Sequence, residues 1–191
     1  MKYLEAHGSF PSIVYRVFDN INHAKQFLSG QIRLSNVNIY RSTEDLKRQD
    51  KDEGSSLFIH NNICHHSSFS SNSVFVYCFH RTLRAAKNSK FGQYIIEINN
   101  PKQLAISITN LFSNQNIKYY GGIEGVNIEY TTGGNRIDKL SSIERTSLIY
   151  SQKPISYSEE EEFRFVLISE KSLKAHNCIY LDSNLIDAKL L

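Results

Sequence analysis

The chain has 191 residues, 40% of them hydrophobic, with 22 Lys and Arg against 19 Asp and Glu. This length suits one sizeable core, so we expect a single domain over residues 1–191. The net charge of +3 is too small to indicate a nucleic-acid partner by itself. No apolar run approaches the roughly 18 residues of a membrane span. Since the N-terminus also lacks the apolar run of a signal peptide, we expect a cytoplasmic protein without membrane contact.

The first third of the chain predicts two strands, one helix and a long polar segment. Residues 12–18, SIVYRVF, form a strand by their aromatic and β-branched content, and Arg16 is the one charge within it. A helix is predicted over 21–29 and a short strand over 32–34. Segment 35–55 is dense in charge. One interpretation is a solvated loop or a short exposed helix. The other is a functional loop, since long polar loops in compact domains often carry function.

The middle of the chain contains its strongest strand. Residues 73–80, SVFVYCFH, are nearly continuous in apolar and aromatic side chains, which predicts a central strand. His80 ends this strand, where side chains often face a cleft. A basic connection over 81–90 leads to a strand over 93–98 and a helix that ends near residue 112.

No metal site is predicted. Cys64, His65 and His66 are metal-ligand types, but adjacent histidines diverge on any regular element and a fourth ligand at the usual spacing is missing. The three cysteines are scattered and odd in number, which favours reduced thiols over a disulfide framework.

The last third predicts further short elements. They are a strand pair over 118–122 and 126–130, a helix over 137–148, a strand over 178–181 and a tail from residue 183. Many short strands, few helices and no βαβ series indicate an α+β fold with mainly antiparallel split sheets and a few peripheral helices. Gly-rich dinucleotide and phosphate loops are absent from the sequence.

The stretch 153–169, KPISYSEEEEFRFVLIS, has the most distinctive pattern in the chain. Four glutamates run into a predicted strand whose alternation puts Glu162 and Arg164 on one face and the phenylalanines on the other. Arg164 is then the expected ion-pair partner of Glu162. The run is either a solvated acidic turn or the edge of an active site, since a carboxylate at the start of a buried strand is held rigidly. In the second case Glu160 and Glu162 are functional, and Glu159 and Glu161 are solvated.

The order of these features resembles the ADP-ribosyltransferase (ART) fold. In that family an early strand carries an Arg or His that holds the nicotinamide dinucleotide, and a middle strand carries a Ser or Tyr. A late strand begins with the catalytic Glu, often as Glu-x-Glu. More narrowly, SGQIRLSNVNIYR, RQDKDEG, VYCFH and K-P-x-S-Y-x-x-E-x-E-F-R are similar to a group of bacterial proteins associated with ART-like toxins and phage defence. The pattern spans roughly residues 13–168.

The resemblance implies roles for individual residues. Glu162 matches the catalytic Glu, Glu160 the first member of Glu-x-Glu, and Arg16 the Arg that holds the dinucleotide. The usual Ser-Thr-Ser triplet of the middle strand is not visible, so Tyr77, His80 or Thr82 would take that position. The remaining candidates for cofactor binding match only the narrower group: Tyr40, Arg41 and Arg48.

The implied activity is mono-ADP-ribosylation with NAD as substrate. A fixed carboxylate stabilises the oxocarbenium-like state formed when nicotinamide leaves, and a second carboxylate can deprotonate the nucleophile. Arg16, with Arg41 or Arg48, would bind the pyrophosphate, and Tyr40 or Tyr77 would stack on nicotinamide. The acceptor would be a nucleic acid, tracked by the basic residues of 81–90, or a protein. An antitoxin protein is a possible partner.

Two other functions remain open from the sequence. The chain could be an ART-like binding module without transfer chemistry, which the missing middle triplet favours. It could also be a metal-dependent nuclease that uses the acidic residues of segment 45–53 together with His80.

Overall fold

The computed structural model of the chain describes residues 6–42, 55–60, 63–68, 73–114, 119–132, 135–136, 150–169 and 176–191. The strands within them are β1 His7–Gly8, β2 Ile13–Phe18, β3 Gln31–Asn36, β4 Ser55–His60, β5 Ile63–Ser68, β6 Val74–His80, β7 Tyr94–Asn99, β8 Tyr119–Asn127, β9 Glu129–Thr131, β10 Asn135–Arg136, β11 Gln152–Pro154, β12 Glu162–Ser169, β13 His176–Tyr180 and β14 Ala188–Leu190. The helices are α1 Ile21–Leu28, α2 Val37–Ser42, α3 Leu83–Lys87 and α4 Pro101–Asn114, and 3-10 turns span Ile155–Glu160 and Ser183–Leu185.

A nine-stranded sheet forms the centre of the described structure. Its strand order is β1-β8-β12-β6-β2-β7-β14, with β3 paired to β6 and β13 paired to β3. The pairings in this sheet are antiparallel except that of β1 with β8. Two smaller sheets, β10-β4-β5 and β11-β9, are separate from it in hydrogen bonding. The mainly antiparallel sheets and few helices confirm the predicted α+β class.

The large sheet forks along one edge of β6. The C-terminal end of β6 pairs with β2 only at Tyr15↔His80, whereas its N-terminal half pairs with β3 at Ser35↔Val76 and the adjacent position. Cys78 lies between these two ladders. Its backbone carbonyl accepts a hydrogen bond from Arg16 Nη1. Arg16 thus supplies a donor to a carbonyl that lies between the two ladders of the fork.

The two faces of the sheet bury different clusters. Phe163, Phe165 and Leu167 of β12 join the larger core, which α1 and α4 cover on that face. Val166 points the other way and joins a smaller cluster with Tyr150 and valines of β6. The predicted alternation along β12 is therefore confirmed.

Two predicted elements are wrong. Residues 118–122 and 126–130 do not form a strand pair, because β8 runs as one strand between β1 and β12. Gly125 in this strand serves close packing, since a Cβ added to it would lie 2.7 Å from the ring of Phe10. The C-terminal tail contains β14, which pairs with β7 as an edge strand. The helix predicted over 137–148 lies outside the described residues. Within the described residues, none of the helices has the length and apolar character needed to cross a membrane.

Replacing Phe165 by Ala should lower the free energy of unfolding by about 3–5 kcal/mol, because it leaves a cavity among aromatic rings that meet edge to face. Phe165 is buried, and its ring centroid lies 4.7 Å from that of Phe79. Urea denaturation followed by circular dichroism measures the loss. The control Ile155→Ala removes a side chain that is 49% exposed and should change stability by no more than about 0.5 kcal/mol. Equal losses in both variants would contradict this packing.

Candidate functional site

The candidate site lies where the acidic turn enters β12. Glu160 ends the 3-10 turn, Glu162 begins the strand, and Glu161 between them has a left-handed backbone with a φ of 43°. The carbonyl of Glu161 accepts a 2.8 Å hydrogen bond from the backbone N–H of Arg81, and its carboxylate pairs with Arg84. Contacts with the α3 segment therefore hold the turn in place.

The expectation of two solvated glutamates is only half confirmed. Glu159 is exposed, as predicted. The side chain of Glu161 is 19% exposed and forms an ion pair with Arg84. The side-chain hydrogen bond from Arg84 holds the pKa of Glu161 below its usual range. The prediction that Glu161 is only a solvated companion is therefore wrong, because α3 packs near the turn.

Two cations hold Glu162. Arg164 Nε lies 2.6 Å from Oε1 of Glu162, and Arg164 Nη2 lies 3.4 Å from Oε2. Lys153 Nζ lies 2.8 Å from the same Oε2. Arg164 also donates a 3.1 Å hydrogen bond to the carbonyl of Tyr150. The predicted Glu162–Arg164 pair is confirmed, and Lys153 of β11 is a second partner that sequence reasoning did not identify.

Glu162 is a fixed anion. Burial alone would raise the pKa of its carboxyl, but Arg164 and Lys153 outweigh that effect and hold the pKa well below its usual range. Only 5% of the side chain is exposed. The backbone N–H of Glu162 donates a 2.7 Å hydrogen bond to the hydroxyl of Tyr130. Burial raises the pKa of Tyr130 to about 12, so this phenol stays protonated beside the carboxylates.

Glu160 is the more accessible of the two carboxylates. Its Oε2 lies 2.9 Å from Lys153 Nζ, and 23% of its side chain is exposed. Burial raises the pKa of Glu160, the ammonium of Lys153 opposes this, and the charge of Glu162 adds to it. The two carboxyl groups therefore have pKa values shifted in opposite directions. Such a division is typical of a site in which one acid stays ionised and the other exchanges a proton.

His80 lies directly beside this pair. It is opposite Glu162 in the β6–β12 ladder, and its Nδ1 lies 2.7 Å from the backbone carbonyl of Glu160. A carbonyl only accepts, so Nδ1 carries the proton and Nε2 is left as an acceptor. Burial lowers the pKa of His80, which keeps the imidazole neutral near pH 7. Its ring also lies 6.4 Å from that of Phe91, in a stacked orientation.

The sheet places Glu162 and His80 in a longer polar row. His80 pairs with Tyr15 of β2, Tyr15 with Glu97 of β7, and Glu97 with Lys189 of β14. Directly opposite residues share one face of a sheet. The Glu97 carboxylate accepts from the Tyr15 hydroxyl and lies 2.9 Å from Lys189 Nζ. Sequence reasoning missed Tyr15, and its only signal was its position next to Arg16 on the first long strand.

Arg16 and Tyr77 lie on the other face. The guanidinium carbon of Arg16 is 4.4 Å from the centroid of the Tyr77 ring. Tyr77 is 4% exposed and belongs to the larger core, whereas Glu162 lies on the face of the smaller cluster. Arg16 shares its face of β2 with Val14, which belongs to the larger core. The structure therefore brings together Glu160, Glu162 and His80, but not Arg16 and Tyr77 with them.

The remaining predicted residues contribute less to this picture. Thr82 caps α3, and its hydroxyl accepts from the backbone N–H of Ala85. Tyr40 and Arg41 are on α2, but their side chains, like all of Arg48, are outside the described structure. The acidic segment 45–53 is outside it as well. In the part of the chain that is described, no group of three or more His, Cys, Asp and Glu could hold a metal ion.

The geometry of these residues is the basis for a functional conclusion, because the comparisons with known proteins found no match. No family model matches the sequence, and no curated protein or solved structure matches the chain.

Replacing Arg164 by Met should destabilise the fold by about 3 kcal/mol, because it leaves the buried Glu162 charge with one partner instead of two. Adding Glu162→Gln to that variant should recover part of the loss. The free energies of unfolding of the two single variants and the double variant, from urea denaturation, give the coupling energy. Simple additivity of the two single effects would contradict the buried pair.

Proposed function

We propose that the chain is an NAD-dependent mono-ADP-ribosyltransferase with an ART-like domain that acts as a bacterial toxin or anti-phage effector. The observation that carries this proposal is the Glu160–Glu162 pair at the start of β12. One carboxylate is fixed and ionised, and the other is partly exposed and bound by a single cation. Cleavage of an N-glycosidic bond requires a fixed anion near the developing positive charge, and activation of a nucleophile requires a base that can accept a proton.

The arrangement of the strands supports the same proposal. The family motif places its residues on an early, a middle and a late strand. Their counterparts here are β2, β6 and β12, which are consecutive neighbours in the sheet. His80 of β6 borders Glu162 directly, and Tyr15 of β2 borders His80. We therefore propose that Tyr15 and His80 line the NAD site. The NAD roles of Tyr40, Arg41 and Arg48 remain proposals from the resemblance. Arg16 and Tyr77, which stack on each other on the opposite face of the sheet, are left out of the proposed NAD site.

The proposed reaction breaks the bond between C1′ of the ribose and the nicotinamide nitrogen. Nicotinamide leaves with the bonding electron pair, which neutralises its ring charge. The ionised Glu162 stabilises the positive charge that develops at the ribose, because a fixed anion is most effective in a site that excludes water. The acceptor nucleophile attacks C1′ and loses its proton to Glu160.

Glu162→Gln should reduce transfer of labelled ADP-ribose from NAD to components of a bacterial lysate by about 100-fold or more, since it removes the fixed anion. The matched control is Glu159→Gln, which makes the same change at an exposed position of the same turn and should retain labelling. Autoradiography after gel electrophoresis measures both. Equal labelling by the wild type and the Glu162 variant would refute the catalytic role of Glu162.

The alternative is an ART-like binding module without transfer activity. The observation that favours it is the engagement of both oxygens of Glu162, which is 5% exposed and held by two cations. A ligand that binds the folded state raises the melting temperature. Absence of transfer together with no rise of Tm at millimolar NAD would favour the module, whereas a rise of Tm without transfer would indicate NAD binding.

We propose a nucleic acid as the acceptor, with a protein as the competing possibility. The exposed cations Arg81, Arg84, Lys87 and Lys90 lie on or beside α3, and this segment contacts the turn of Glu161. The sequence from residue 81 to residue 96 contains no acidic residue. A short row of cations next to the site is suited to a phosphate backbone. As a toxin, such an enzyme would also have an antitoxin protein as a partner.

The double variant Lys87→Gln/Lys90→Gln should weaken binding of single-stranded DNA or RNA and lower the slope of log K against log salt by about 1.4, from two lost phosphate contacts. Fluorescence anisotropy across a salt series measures this slope. The control Lys25→Gln/Lys102→Gln removes the same charge from α1 and α4 and should leave the slope unchanged. Equal effects of both variants, or no binding by the wild type, would favour a protein acceptor.

A further inference from the structure

A single ammonium group connects the two carboxylates of the candidate site. Lys153 Nζ lies 2.9 Å from Oε2 of Glu160 and 2.8 Å from Oε2 of Glu162. The lysine side chain is 10% exposed, and its Nζ lies 5.1 Å from the centroid of the Tyr157 ring. The cation is therefore enclosed between β12, the 3-10 turn and its own strand, β11.

The two carboxylates depend on Lys153 to different degrees. Glu162 has Arg164 as a second cation at 2.6 Å, so it remains an ion pair without Lys153. Glu160, by contrast, forms its ion pair in the described structure with Lys153. Without the ammonium, the effects of burial and of the negative charge of Glu162 on Glu160 are no longer opposed by Lys153. Both effects favour the protonated form of Glu160.

We propose that Lys153 is the positioning residue of this site, and that its ammonium group holds Glu160 as the proton acceptor beside the fixed anion Glu162. This inference rests on the proposed function, since the acceptor nucleophile gives its proton to Glu160 as the new bond to C1′ forms. Without Lys153, Glu160 is protonated over a wider range of pH, and over that added range it cannot accept the proton.

Other charged and titratable groups face Glu160 and belong to the same balance. Glu162 and Arg164 come from β12, His80 from β6, and Tyr130 from β9. His80 is neutral near pH 7 and Tyr130 is protonated there. Near pH 7 the charges that act on Glu160 are therefore those of Lys153, Glu162 and Arg164.

The test follows the titration of Glu160 by carbon NMR of proteins labelled at the glutamate side-chain carboxyl, with the resonance assigned by its loss in Glu160→Gln. Lys153→Met should move the midpoint of Glu160 to higher pH, whereas Lys153→Arg should keep it close to that of the wild type. Lys189→Met, which breaks the remote 2.9 Å pair with Glu97, should leave it unchanged. Lys153→Gln should move it in the same direction as Lys153→Met and provides the test if Lys153→Met does not fold.

An unchanged Glu160 midpoint in Lys153→Met, or an equal change in Lys189→Met, would overturn the proposal. In the transfer reaction, the acidic limb of the pH–rate profile should move up by about one pH unit in Lys153→Met. The NMR titration needs neither NAD nor turnover. Shifted midpoints without any transfer activity would therefore refute the proposed function alone, and normal transfer with unshifted midpoints would refute the role of Lys153 alone.

Discussion

A buried ion-pair network at the start of β12 is the constraint on which the candidate site depends. Taking a charged group out of water costs several kcal/mol, and only close partners of opposite charge offset this cost. Glu160 and Glu162 are balanced by Lys153 and Arg164, so the network has no net formal charge. Its members come from β11, the 3-10 turn and β12. Each of these charges can therefore be buried only when β11, the 3-10 turn and β12 are packed together.

The same network shifts the pKa values of the two carboxyl groups in opposite directions. Glu162 is ionised because two cations outweigh its burial, and Glu160 is poised for proton exchange because it shares one cation with its neighbour. A site with a permanent anion next to an exchangeable carboxyl is suited to a reaction that develops positive charge and also needs a base. The neutral imidazole of His80 completes this edge without adding a charge.

The fork in the large sheet determines which side chains can reach this site. Where β2 and β3 diverge from β6, Arg16 turns toward the larger core, stacks on Tyr77 and donates to the carbonyl of Cys78. Arg16 therefore supplies a hydrogen-bond donor to the backbone where the two ladders separate, and its side chain lies on the face opposite Glu162. On the face of Glu162, the row continues instead through His80 and Tyr15.

Local pattern in the sequence was sufficient for several of these elements. The alternation of β12 and the pairing of Arg164 with Glu162 follow from spacing along one strand, because side chains two residues apart on a strand share a face. The central position of β6 follows from its nearly continuous apolar run. The acidic turn was recognisable because four consecutive glutamates run directly into a predicted strand. The hairpin expected around Gly121 was wrong, because glycines also occur inside strands, as in β8, and there carry the same local signal as glycines in a turn.

The fold class, the strand that carries the carboxylates and the ion pair between Glu162 and Arg164 follow from the sequence alone. Three further relations appear only in the folded chain: Lys153 joins Glu160 and Glu162, Tyr15 borders His80, and Arg16 faces away from them. These relations depend on which strands are neighbours in the sheet and on which face each presents. Both are set by long-range packing of apolar faces, which leaves no periodic signal within a single segment.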